Sequence, residues 1–145
     1  MAANTAPIFS LQGEVSSDNS TAMAPTFTTA AADYTGATAT HNKLVFTADA
    51  TNGSFVQRLR FKAIGSNVAT VARIFINNGS ANTTAANNSF YGEVSLSATT
   101  ASASGATVEV DYSMNVALNP GFRIYVGLGT TVAAGWVCVP IGGNY

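Results

Sequence analysis

The stretch Thr107-Val-Glu-Val-Asp-Tyr-Ser-Met-Asn-Val-Ala-Leu118 decides the fold class. Val108, Val110, Tyr112, Met114, Val116 and Leu118 alternate with Thr107, Glu109, Asp111, Ser113, Asn115 and Ala117. Side chains of an extended strand point to opposite faces in turn, so this period of two makes one apolar and one polar face. A helix would scatter the same apolar residues around its whole circumference. The stretch therefore predicts a half-buried strand, and Asn119-Pro-Gly121 after it predicts a tight turn.

Working outward, the same period recurs. Downstream, Phe122, Ile124, Val126 and Leu128 form one predicted strand, and Trp136 to Ile141 the last. Upstream, Phe90, Val94, Leu96 and Ala98 share a face opposite Tyr91, Glu93, Ser95 and Ser97. Thr70 to Asn77 sets Ala72, Ile74 and Ile76 against Val71, Arg73 and Phe75. Phe55, Leu59, Phe61 and Ala63 oppose Arg58, Arg60 and Lys62, and Lys43 to Ala48 holds another short apolar run. Turn-rich segments at residues 49–54, 65–67 and 77–80 separate these strands. Seven or eight short strands with no amphipathic helix predict an all-β sandwich.

The first 41 residues differ. Residues 16–41 are mostly Ala, Thr, Ser and Asp, and Met23, Phe27 and Tyr34 are their large apolar exceptions. Such a segment buries too little apolar surface to offset its own ordering entropy, so it must lie on the domain or on a neighbouring subunit. Ile8 to Val15 before it reads as a strand. The organisation predicted is an N-terminal strand and low-complexity arm over 1–41, then a sandwich over 42–145. A long arm before the first strong strand favours a jelly roll over an immunoglobulin-like topology.

Charged residues make up 9% of the 145 residues, and the net charge is -1. Ordinary soluble domains carry roughly 25%. A surface of hydroxyls and amides is cheap to desolvate against a neighbour, which points to permanent assembly. Nothing in this balance predicts binding to nucleic acid, which needs clustered basic residues. No apolar run reaches the ~18–20 residues of a membrane-spanning helix, and no Sec-type signal peptide is read at the start. Cys138, the single cysteine, can form no intrachain disulfide and reads as a buried small apolar residue in Trp136-Val-Cys-Val139.

Residues able to carry chemistry are few. His41 is the only histidine and lies in the arm, away from any nucleophile or ligand set. Glu109 and Asp111 share a strand face about 6–7 Å apart, a separation that a glycosidase pair could use. Arg58, Arg60 and Lys62 repeat at the same spacing, so pairing with these acids, within the chain or across a subunit boundary, is the stronger expectation. Asp49-Ala-Thr-Asn-Gly-Ser54 lacks the spaced acids of a calcium loop and reads as a turn. No enzyme, cofactor or metal is expected.

Two segments carry a family resemblance. Leu59-Arg-Phe-Lys-Ala-Ile-Gly-Ser-Asn-Val-Ala-Thr-Val-Ala-Arg-Ile-Phe-Ile-Asn-Asn-Gly79 is one. The other runs Leu118-Asn-Pro-Gly-Phe-Arg-Ile-Tyr-Val-Gly-Leu-Gly-Thr-Thr-Val-Ala-Ala-Gly-Trp136, and the chain closes in Gly-Gly-Asn-Tyr145. Together they resemble the head-decoration (capsid cement) proteins of tailed bacteriophages, over about two-thirds of the chain from roughly Leu44 onward. The motifs are structural patterns without a catalytic signature, and the arm up to His41 lies outside the resemblance. It implies a β-sandwich subunit, commonly a homotrimer, made in the host cytoplasm and seated on the outer surface of the virion. There it would bridge major capsid proteins. The interface residues expected are Arg58, Arg60, Lys62, Glu109 and Asp111 on the sandwich, and Ile8, Phe9 and Leu11 near the start. The alternative is a carbohydrate- or receptor-binding module of lectin or tail-fibre type, using Tyr91, Tyr125, Trp136 or Tyr145 as stacking platforms.

Overall fold

The period-two segments all form strands. The computed structural model describes residues 12–14, 23–31, 33–38 and 40–145. In chain order the strands are β1 (Gln12–Glu14), β2 (Thr26–Phe27), β3 (Lys43–Thr47), β4 (Ser54–Ala63), β5 (Thr70–Asn77), β6 (Asn88–Leu96), β7 (Glu109–Leu118), β8 (Arg123–Leu128) and β9 (Trp136–Asn144). Helix among the described residues is limited to one 3₁₀ turn, Ala85–Asn87, and no helix is long and apolar enough to cross a membrane.

Two antiparallel sheets face each other. Sheet A runs β1–β9–β4–β7, with β2 also on β9, and sheet B runs β3–β8–β5–β6. β4 occupies one flank of β9 along its length, so β1 and β2 share the other. They act as one interrupted edge strand. From Glu14 to Thr26 the chain advances 12 residues while β9 advances five, from Gly142 to Val137. Counted this way the molecule has eight strands in the order of a jelly roll, which matches the expected fold.

The core lies between the sheets. Val56, Leu59, Phe61 and Trp136 of sheet A meet Val45, Phe46, Ile74, Ile124 and Leu128 of sheet B, all fully buried. Burying each such side chain contributes roughly 1.5–3 kcal/mol. Phe27 of β2 is 1% exposed and belongs to this core, so the packing runs across the compositional boundary at residue 42.

Two faces differ from the expected alternation, and a β-bulge explains each. Between Val56 and Arg58 the pairing of β4 with β9 slips by one residue. Val56 therefore joins Leu59 and Phe61 in the core, and Phe55, expected there, is only half-buried. On β6 the pairing slips between Gly92 and Phe90, which makes Tyr91 the extra residue. Val94 and Leu96 stay inward, but Phe90 moves to the outer face, opposite Phe75.

Candidate assembly surfaces

The outer face of sheet A carries the charged row. β4 and β7 are neighbours, in a register that sets Arg60 opposite Asp111 and Lys62 opposite Glu109. Arg60 donates two hydrogen bonds to the Asp111 carboxylate, from Nε at 2.8 Å and Nη2 at 2.9 Å. This fork-to-fork geometry is the strong form of the pair. Around it, Arg58 Nε lies 3.7 Å from Asp111, Arg60 Nε 3.4 Å from Glu109, and Lys62 Nζ 3.8 Å from Glu109. Lys62 also donates to the Thr107 carbonyl at 2.9 Å. The hydrogen bond from Arg60 holds the Asp111 carboxyl below the usual carboxylate range, and Asp111 raises Arg60 in return. The five residues thus pair within one chain. Both carboxylates of the pair that a glycosidase could use are thus engaged by basic side chains of β4. Next to the row, Val137, Val139 and Ile141 of β9 form a half-buried apolar stripe, opposite Lys62, Arg60 and Arg58 in register.

At one side of the sandwich β6 and β7 are both unpaired edges among the named strands. The bulge turns Tyr91 across the gap, where its hydroxyl donates to the Met114 carbonyl at 3.1 Å. Its ring meets Tyr112 edge-on at 6.5 Å. Gly92 makes room for this clasp, since a Cβ there would sit 2.2 Å from the Tyr112 hydroxyl. β7 is bent at Asn115, which adopts φ 48°, a conformation Asn tolerates better than most residues. Bulges on both strands, with Glu93, Glu109 and Asp111 beside them, limit simple strand-to-strand addition here.

The outer face of sheet B is covered. After β2 the chain crosses from sheet A to sheet B. Ala30 bridges Leu128, and the Ala31 amide donates to the Leu128 carbonyl at 2.7 Å. Arg73 projects outward from β5, yet it is 9% exposed. Its Nη1 donates to the Ala31 carbonyl at 3.2 Å, its Nη2 to the Tyr34 hydroxyl at 3.1 Å, and its guanidinium lies 4.0 Å from the Tyr34 ring centre. Glu93 flanks it at 3.7 Å. Tyr34 stacks edge-on against Phe90 at 5.5 Å, and Asn88 donates to the Thr35 carbonyl at 3.1 Å. The turn that follows is tied by Asp33, which accepts from the Thr35 and Gly36 amides and from the Thr35 and Thr38 hydroxyls. Burial pushes the Asp33 carboxyl up, but these hydrogen bonds outweigh it and leave it below the usual carboxylate range.

A third polar cluster ties three loops together. Asn67 donates to the Gly135 carbonyl at 3.0 Å and accepts from the Ala134 and Gly135 amides at 3.0 and 2.7 Å. Its own amide pairs with the Thr99 carbonyl at 3.0 Å. This fixes the β4–β5 turn against the β8–β9 loop.

The remaining sequence candidates separate clearly. Trp136 is 0% exposed and fills the core, which removes it as a stacking platform. Cys138 is fully buried, and that burial pushes its thiol well above the usual range, as expected of an apolar filler. His41 is half-buried in the turn before β3. Tyr125 and Tyr145 are half-buried, and Tyr91 is engaged in the clasp. The most exposed aromatics are instead Tyr34 and Phe90, at 57% and 43%. Among the described residues no three His, Cys, Asp or Glu side chains converge on a metal-sized site. Ile8, Phe9 and Leu11 lie outside the described residues. Sequence reading missed Arg73, Tyr34 and Asn67. Tyr34 gave one cue, as an isolated large side chain in a segment of small ones.

Compared with protein-family models, with curated proteins and with solved structures, the chain gives no match.

Proposed function

We propose that the protein is a structural subunit of a virus particle, a head-decoration protein that seats on the outside of an icosahedral phage shell and bridges major capsid proteins. The observation that carries this reading is the pairing of charge within one chain, three basic side chains against two carboxylates, which leaves the row a single net positive charge. Arg58, Arg60 and Lys62 form ion pairs with Glu109 and Asp111 of the same chain, which leaves an outer sheet face of paired ions beside an apolar stripe. Such a surface meets little long-range repulsion from further copies and is cheap to dehydrate. Many copies on a symmetric lattice hold through the sum of weak contacts, without a deep pocket in any one of them. The jelly roll and the resemblance of residues 59–79 and 118–136 to decoration proteins support the same reading. Ile8, Phe9 and Leu11 supply an apolar contact to a neighbour in this scheme, and the working unit is a homotrimer.

The test is to incubate the purified protein with tailed-phage heads stripped of their decoration, then sediment the mixture and image it by cryo-electron microscopy. Expected are co-sedimentation at saturating stoichiometry, regular density on the outer capsid surface, and loss of binding when residues 1–11 are removed. Free protein that stays in the supernatant at every concentration, together with hits on a glycan array, would replace this reading with a carbohydrate-binding one.

A further inference from the structure

Beneath the cover on sheet B, buried polar groups stand without hydrogen-bond partners. Ala30–Ala31 and Asp33–Thr38 form a strap that crosses β8, β5 and β6. Among the described residues its polar attachments to the sandwich are one short backbone bridge at Leu128, the Asn88–Thr35 bond, the Thr131 hydroxyl accepting from the Ala30 amide, and Arg73. Arg73 alone supplies two hydrogen bonds and the cation–π contact, so it is the main anchor. Its Nε, however, lacks a hydrogen-bond partner, with Glu93 3.7 Å away. Asn42 is 1% exposed, and neither its amide nitrogen nor its amide oxygen has a partner. It is wedged against Gly127, where a Cβ would fall 2.1 Å from Asn42 Oδ1 and 2.9 Å from the Ala31 methyl. A buried amide without a partner opposes the closed state, and opening toward water relieves it.

We propose that this strap opens and closes over the outer face of sheet B while the sandwich stays folded, with Arg73 as its latch. The core does not depend on it, because Ile74, Ile124, Val126 and Leu128 pack inward between the sheets. Opening releases Arg73 and Asn42 to water and bares Phe75 and Phe90, which the closed strap and Tyr34 flank. Local opening of a peripheral segment ahead of global unfolding is a general property of folded proteins.

Hydrogen exchange on the full chain tests this. The Ala30 and Ala31 amides should exchange faster than the β5–β8 ladder amides, with little dependence on denaturant. Arg73→Met should speed the strap amides roughly tenfold or more and keep their exchange nearly independent of denaturant, while the ladder amides keep the steep denaturant dependence of global unfolding. Tyr34→Ala, a change at an exposed side chain, should act in the same direction, whereas Tyr34→Phe, which keeps the ring over the guanidinium, should have a smaller effect. Strap and ladder amides that exchange together in the unmodified protein would overturn the proposal. So would strap protection that survives Arg73→Met, or strap amides that take on the steep denaturant dependence of the ladder.

Discussion

On the outer face of sheet A, Arg60 stands in a row of ion pairs with its side chain 35% exposed. On the outer face of sheet B, Arg73 also projects outward from a central strand, but its side chain is 10% exposed and most of its contacts come from the strap. The two arginines occupy equivalent places in the jelly roll, one on β4 and one on β5. Water already solvates most of what Arg60 does, so its bonds to Asp111 fix register more than they add stability. Arg73 has given up its water, and its remaining partners therefore matter more. Burial, more than charge or strand position, decides what each one contributes.

The contrast can be broken first at the residue that starts the crossing. Phe27→Ala empties a core site just before the strap and should cost about 3–5 kcal/mol, read as a lower urea midpoint. Arg73→Met should cost about 1–3 kcal/mol through the lost cation–π contact and hydrogen bonds. Gly127→Ala forces a methyl group against Asn42 and Ala31 and should cost about 1–3 kcal/mol by overpacking, with strap protection lost first. Arg60→Met, the same change on the uncovered face, should leave the urea midpoint almost unmoved, and the contrast with Arg73→Met measures the effect of burial directly. The smallest expected effect is acid dependence. Asp111 and Asp33 both titrate below the usual carboxylate range when folded. Their contribution is therefore complete above the unfolded value of about 4 and is lost as pH falls through the folded value. Unfolding midpoints from pH 7 to pH 2 should stay flat at first and fall only at the acid end, and less steeply in Asp111→Asn.

The fold was largely legible in the sequence because alternation marks a strand whatever its partner. Val110 to Leu118 and Leu59 to Ala63 read correctly for that reason, whereas Val108 falls just before β7 and is exposed. The slip at Val56 was not legible, since no glycine or proline marks it, whereas Gly92 beside Tyr91 was a bulge cue that alternation alone passes over. Strand order was not legible either, because it rests on pairings such as Arg60 with Asp111, 51 residues apart. The charged row could be anticipated from matched spacing on two strands. Arg73 could not, because a charge alternating with Ala72 and Ile74 reads as a solvated face until the strap lies over it.

Trp136 is the chain's single tryptophan, and it is buried where β9 meets β2. Its fluorescence therefore comes from one known place. Emission should be blue-shifted in the native protein and should resist aqueous quenchers such as iodide. Since it sits on sheet A, the signal should hold steady while the strap moves and redden only when the N-terminal edge peels from β9. Ordinary benchtop optics can then tell the two motions apart without any label.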